Sequence, residues 1–298
     1  MRGVRGVGGF MAAVTGVVLL LAPLLLPRPG LPGLAALASG GAPEGAYLQI
    51  AAHPDDDLLF MSPDLLRLLA RGARTVTVYL TAGEGVAGLR DGHPPRRYSI
   101  DRQQGVRAAY AWAAGVRDRW RRSLMTVGRA RVEVDTLTDL PRVQLVFAGL
   151  PDGGDPRADG GRGALSRLWA DPGGPTCVRP FTRPTVCLTH SDVLDALRVL
   201  MRTFRPSVLN TLDPDPPPGV ADHPDHVAAA RFAAAAAPRG VRVVVYRGYP
   251  TLPLPPNLTA AEHEAKREAF AVYRRHDYRA GPGRRYDAWL QRMYRASP

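Results

Sequence analysis

Two short apolar runs, far apart in the chain, each stop at a cluster of histidine and aspartate, and this pairing constrains the fold most. Tyr47 to Ala52 ends at His53-Pro54-Asp55-Asp56-Asp57, and Ser207 to Thr211 runs into a polar stretch that closes on Asp222-His223-Pro224-Asp225-His226. Runs this short, bounded by turn residues, read as buried strands rather than buried helices. In open α/β sheets the groups that carry chemistry gather beyond the C-terminal ends of strands. If the two strands are parallel, both clusters lie on one edge of the sheet and can converge. Burying several carboxylates with no cation is costly. A divalent metal removes that cost, and imidazole with carboxylate is a donor set that suits zinc. Either cluster alone would read equally well as a loop or a helix cap.

The remaining periodicity supplies the frame. Pro63 to Ala70 has helical spacing, with Ser62 as the expected N-cap and Pro63 in the first turn. Helices are also expected over Asp101 to Ala114, Ser191 to Thr203 with Ser191 as cap, Val227 to Ala236 and Ala260 to Arg275. Thr75 to Leu80, Val143 to Phe147 and Val241 to Tyr246 are expected strands. Strands alternating with helices predict a Rossmann-like three-layer α/β fold, a mostly parallel sheet with helices on both faces. No internal repeat and no second domain is visible. The Gly-, Pro-, Asp- and Arg-rich stretch from Asp152 to Pro184 is long for a loop and is expected to rim the site.

The domain is placed at residues 46–298 and a targeting or anchoring segment with a Pro/Gly linker at 1–45. Arg2 and Arg5 precede an apolar stretch from Phe10 to Leu26, and Ala36-Leu37-Ala38 offers a small-residue cleavage site before Ser39. The apolar stretch also approaches the length that spans a bilayer, so an uncleaved membrane anchor competes with a cleaved signal. Both readings place the protein outside the cytoplasm. Cys177 and Cys187, the only cysteines, then read as a disulfide closing a loop, with two free thiols as the alternative. The net charge of +12 comes almost wholly from scattered arginine, Lys266 being the only lysine, so nucleic acid is not an expected partner.

The motifs Ala52-His53-Pro54-Asp55-Asp56 and His223-Pro224-Asp225-His226, in this order and spacing, resemble the PIG-L/LmbE-like de-N-acetylase family from about residue 46 to the C-terminus. Within it the chain resembles exported actinobacterial members, through Arg102, the run Gly105 to Ala111, and Leu150-Pro151-Asp152-Gly153. The resemblance implies a zinc-dependent hydrolase that removes an N-acetyl or other N-acyl group from an amino sugar or glycoconjugate. It assigns His53, Asp56 and His226 as Zn2+ ligands, Asp55 as general base, and a protonated His223 as partner of the oxyanion. It further implies Arg102, Asp225, Lys266 and Tyr273 near the substrate. For Tyr273, simple packing of the last helix on the sheet is the competing reading. The family's usual third acid is Glu where this chain has Asp57, one methylene shorter, so a supporting contact is expected to be lost or bridged by water.

Other signals rank lower. Gly83, Gly85 and Gly88 form a GxGxxG after the second strand, but Leu89 to Pro95 offers no helix start to hold a pyrophosphate. No GxSxG elbow is present. His93, His190, His263 and His276 lack dense acidic neighbours and read as surface or cap residues. The aromatic, Arg-rich tail from Arg274 to Arg295 reads as a terminal helix with a solvated basic face. The alternative to an enzyme is a catalytically inactive carbohydrate-binding or envelope protein on the same fold. Oligomeric state is not encoded in any motif.

Overall fold

The structure is a computed structural model and describes residues 32–87, 91–153, 165–180, 186–219, 221–281 and 283–296. Helix α1 (Pro32–Leu37) comes first, followed by β1 (Ala46–Ala51), α2 (Asp56–Phe60), α3 (Asp64–Ala70) and β2 (Arg74–Thr81). The long α4 (Pro95–Ala113) leads into β3 (Trp120–Val127), β4 (Ala130–Leu137) and β5 (Val143–Leu150). Next come α5 (Leu165–Ala170), the short β6 (Cys177–Val178) and β7 (Leu188–Thr189), α6 (His190–Phe204) and β8 (Val208–Leu212). Then follow α7 (Pro224–Ala236), β9 (Arg242–Tyr246), α8 (Ala260–Tyr273) and α9 (Arg284–Leu290).

Seven strands form one sheet in the order β3-β4-β5-β2-β1-β8-β9. β1 lies inside it, parallel to β2 on one side and to β8 on the other, with Ile50 beside Thr211. The two polar clusters therefore leave adjacent parallel strands at the same edge, the convergence that the sequence required. One face of the sheet buries a core built with α2, α3, α4 and α8, including Phe60, Tyr110 and Phe270. The other buries a core with α5, α6 and α7, including Leu168, Leu197 and Phe232. The three-layer α/β architecture is as expected.

The antiparallel part was not foreseen. β3 pairs with β4 and β4 with β5 in antiparallel fashion. β3 has four consecutive exposed residues, Arg121 to Leu124, so it shows no alternation by which a strand is recognised. Helix starts also shift. α6 is capped by Thr189, not Ser191: the Thr189 hydroxyl accepts from Asp192 N while Asp192 Oδ2 accepts from Thr189 N, a reciprocal capping box. Ser62 does not cap α3; its hydroxyl donates to the Asp57 carbonyl at 3.2 Å. α4 begins at Pro95, six residues before the expected start at Asp101, because proline at N1 has no N–H to leave unpaired. Cys177 and Cys187 form the expected disulfide, with Cα atoms 5.3 Å apart.

The apolar stretch from Phe10 to Leu26 lies outside the described residues. No helix among those described is long and apolar enough to cross a membrane. The segment read as linker does contain structure: α1 packs on α8 and α3. Gly33 lies so close to α8 that a Cβ would sit 2.6 Å from Ala265 N. Leu34 and Leu37 are 8% and 4% exposed, and the Leu37 carbonyl accepts from Arg71 Nε at 3.1 Å. The folded unit thus includes residues from Pro32 onward, not from 46, and a cut after Ala38 would remove α1. A chain starting at Ser39 is expected to be about 3 kcal/mol less stable than one starting at Pro32, from the burial of two leucines. Thermal unfolding should show a midpoint lower by about 5–10 °C.

Candidate active site

A cavity of about 460 Å³ opens at the C-terminal ends of β1 and β8. His53, Asp55 and Asp56 enter it from the β1 end, Glu84 from the loop after β2, Asp152 from the end of β5, and His223 from the start of α7. Tyr249, Tyr286 and Trp289 close the far side.

The turn after β1 is fixed by its own backbone. Asp55 N and Asp56 N both donate to the His53 carbonyl, at 2.9 and 3.3 Å, and His53 N donates to Asp56 Oδ2 at 2.7 Å. This curl places Asp56 against the histidines, while Asp55 faces Arg102 and Asp57 faces the core. At the second cluster α7 starts at Pro224, with His223 as N-cap. Asp222 Oδ1 accepts from His223 N at 2.8 Å, from Tyr249 N at 3.1 Å, and lies 2.8 Å from His226 Nδ1. With Nδ1 committed to that carboxylate, His226 turns Nε2 into the site, the arrangement by which an outer carboxylate orients a metal-ligating histidine.

His53 Nε2 and His226 Nε2 are both buried with no hydrogen-bond partner. His226 Nε2 lies 3.0 Å from Asp56 Oδ1. Unpaired imidazole nitrogens beside carboxylates are what a divalent cation would satisfy, and the donor types fit zinc. Asp56 meets both His53 Nδ1, at 3.3 Å, and His226 Nε2, at 3.0 Å, while the sets that among the described residues have all their ligand atoms within 4.8 Å of one another are His53, His223 and His226, and His53, Asp152 and Asp225. Asp152 and Asp225 thus extend the expected donor set. Asp225 is fully buried and its Oδ2 accepts from Gly153 N at 2.9 Å. It does not line the cavity, so the expected contact with substrate is replaced by a place behind the histidines.

Electrostatics separate the roles. Burial drives the Asp55 carboxyl up and the Arg102 guanidinium opposes it, leaving the group at about 6. It is therefore ionised at neutral pH yet close enough to neutrality to exchange a proton. For Asp56, burial raises, but His226 and His53 outweigh it and hold the carboxyl well below its ordinary range. His226 is lowered by burial but raised more by Asp56 and Asp222, to about 9. His223 goes the other way: burial, then the neighbouring His53 and His226, push it down to about 4. This shift and the hydrogen bonding favour a neutral His223 over the protonated one expected. Its Nδ1 accepts from Asp225 N at 3.2 Å, so the neutral ring carries its proton on Nε2, which faces Asp152 Oδ1 at 3.8 Å. A neutral imidazole N–H is still a donor.

Arg102 lines the cavity. Its guanidinium donates to Asp55 Oδ1, to the Gly83 carbonyl at 2.6 Å and to Tyr273 Oη at 2.8 Å. Gly83, at φ +64°, is required there, since a Cβ would lie 2.3 Å from Arg102 Nη1 and 2.8 Å from Pro54 Cδ. The glycine loop after β2 therefore shapes the pocket; Gly88 lies outside the described residues. Tyr273 is fully buried, accepts from Arg102 and donates to Asp277 Oδ2 at 2.6 Å, so it holds Arg102 from behind and does not line the cavity. Asp277, which sequence reasoning did not single out, also accepts from Tyr98 Oη at 2.6 Å. Asp57 accepts from Tyr79 Oη at 2.8 Å and from Tyr110 Oη. The two phenols meet the shorter acid directly, and burial raises it to about 7 despite them.

Lys266 is also displaced from its expected place at the substrate. It is fully buried and donates to the carbonyls of Trp289, at 2.9 Å, and Arg292. It thereby pins the tail that carries the aromatic wall, where Tyr249 and Trp289 stack with centroids 4.7 Å apart. The Arg-rich tail is thus a pocket wall rather than a solvated helix. Burial holds the Lys266 ammonium well below its ordinary value. Between that lowered value and the unfolded one near 10.4, the unfolded chain binds more protons, so stability rises with pH across this window. Lys266→Met is expected to abolish that rise, measured by urea unfolding at neutral and alkaline pH. His93, His190, His263 and His276 are half-buried and none lines the cavity.

The model of the GlcNAc-PI de-N-acetylase family, PIG-L, matches residues 48–237, from β1 to the end of α7. The chain belongs to the PIG-L family. The match spans both clusters, while Tyr249, Tyr273, Asp277 and Trp289 lie beyond it. No curated protein sequence matches the chain. Among solved structures, the PIG-L chain is similar to the N,N'-diacetylchitobiose deacetylase of Pyrococcus horikoshii, at 16% identity over 78% of this chain and 70% of that one, with a TM-score of 0.46. It is similar to the A40926 pseudoaglycone deacetylase at 14% identity, covering 79% and 82%, with a TM-score of 0.45. It is similar also to the 4-carboxy-2-hydroxymuconate hydratase of Pseudomonas putida at 13% identity, covering 83% of each chain, with a TM-score of 0.43.

Proposed function

We propose that this chain is an exported, zinc-dependent N-deacetylase acting on an acetamido sugar or glycoconjugate. The observation that carries the reading is the burial, at one edge of the sheet, of two unpaired imidazole nitrogens beside carboxylates, His226 Nε2 at 3.0 Å from Asp56 and His53 Nε2 at 3.6 Å from Asp152, with Asp55 poised at about 6 nearby. His53, Asp56 and His226 would hold the ion. A bound zinc supplies Lewis acidity and lowers the pKa of a coordinated water to about 7. Asp55, kept in place by Arg102, takes a proton from the attacking water and returns it to the leaving amine. The Nε2–H of neutral His223 donates to the acyl oxygen as charge grows on it. Tyr249 and Trp289 offer apolar ring surface against which a sugar face packs. The N-terminal apolar stretch and the disulfide support export.

The test is acetate release from a panel of N-acetylated sugars and glycosides with the purified, zinc-loaded protein. Stoichiometric acetate and free amine support the reading. Glycan binding with no acetate released from any of them would instead assign a binding protein.

A further inference from the structure

A second cavity, of about 700 Å³, opens over the β1–β8–β9 side of the sheet and shares no lining residue with the first. Tyr47, Val208 and Asn210 line it from the strands, Leu68 and Arg71 from α3, and Arg242 from the start of β9. Two features of this lining call for a ligand.

The first is polar. Asn210 is 4% exposed, and its side-chain amide has no hydrogen-bond partner among the described residues. Its register neighbour on β1 is Gln49. Gln49 Oε1 accepts from Thr77, but Gln49 Nε2 is buried with no partner. Gln49 does not line the cavity, but Asn210 does, and its amide is open there to a ligand that brings acceptor atoms.

The second is charge. Arg67, Arg71, Arg242 and Arg295 line the cavity, and Asp64 is the only acid among the lining residues. Asp64 is already taken by Arg67 at 2.9 Å, by Arg295 at 2.6 Å and by Tyr246 Oη at 2.8 Å. Arg71 commits only Nε, to Leu37 O, and the Arg242 guanidinium has no partner among the described residues. Two guanidinium groups thus keep N–H edges for a planar or tetrahedral oxyanion. Arginine is abundant throughout this chain, so the charge alone would decide nothing. It is the buried, unpaired Asn210 in the same cavity that marks a built site.

We propose that this cavity binds a small oxyanion-bearing molecule, its phosphate or carboxylate taken by Arg71 and Arg242 and a further acceptor by Asn210. The site is separate from the hydrolytic one and does not depend on that reading. The same phosphate chemistry could be presented by a soluble ester or by an anionic lipid headgroup.

Calorimetric titration of the full chain with inorganic pyrophosphate at fixed ionic strength tests the proposal. Saturable binding is expected, weakened at least about tenfold both in Asn210→Leu and in Arg71→Ala/Arg242→Ala. It should be unchanged after chelation of metal from the other cavity. Arg242 is exposed on the edge strand, so Arg242→Ala alone keeps the test open if Asn210→Leu does not fold. Absence of saturable binding up to about 10 mM, or equal binding by folded variants, would overturn the site. So would binding that vanishes on chelation but survives in the variants, which would mark an anion held at the catalytic metal. Competition by phosphatidylglycerol vesicles, with none by phosphatidylcholine, would assign the phosphate to a headgroup; no competition alongside variant-sensitive binding would assign a soluble ester.

Discussion

Asp55→Asn is expected to keep its metal and lose about 10³-fold in kcat for amide hydrolysis, the scale of a lost general acid–base group. The amide is isosteric with the acid, so Arg102 keeps its place through Gly83 and Tyr273. On the proposed mechanism, what disappears is the group, held at about 6, that shuttles the proton from water to amine. Because Asp55 is not needed to hold the ion, zinc content should equal that of the wild type, and KM should change far less than kcat. A variant with near-normal kcat would remove Asp55 from the chemistry. A variant without zinc would make it a ligand instead.

The second large effect concerns the ion. His226→Ala is expected to abolish zinc retention, measured as metal per chain after dialysis, and with it all activity. The substitution removes a buried donor and strands Asp56 and Asp222, each of which faces that imidazole. The loss should exceed the 10- to 100-fold fall in affinity that removal of a supporting contact causes. Asp222→Asn, which leaves the donor but loosens its orientation, should fall within that range. His223→Ala separates the donor sets: with His53, Asp56 and His226 as ligands it keeps zinc and loses rate. Zinc lost in His223→Ala and kept in Asp56→Asn would place the ion among the three histidines instead.

What the sequence revealed about this site follows from how far each contact reaches along the chain. The clusters at 53–57 and 222–226 were legible because each is local, dense and placed at a strand end, and strand alternation predicted their convergence. The base's support was not. Arg102 meets Tyr273 across 171 residues, and Asp277 is a lone acid in an Arg-rich segment with no pattern of its own. Lys266, Tyr273 and Asp225 lie behind the cavity wall rather than on it, since residue type says nothing about which side of a wall a side chain faces. Asp152 sat inside a Gly- and Pro-rich stretch that hides single acids. For the fold, the parallel core could be read from its buried runs, whereas β3 escaped because both of its faces are exposed over Arg121 to Leu124, which leaves no alternation. α1 escaped because a six-residue helix stabilised by packing on α8 has no periodicity long enough to detect.

The central claim, one zinc held by both clusters and used to cleave an N-acyl bond, is tested most directly by acetate release from an accepted N-acetylated sugar. The same protein sample would be assayed as purified, after chelator and dialysis, and after addition of one equivalent of zinc. Activity lost on stripping and restored by that equivalent is the expected result. Hydrolysis that continues undiminished in the stripped protein would contradict it.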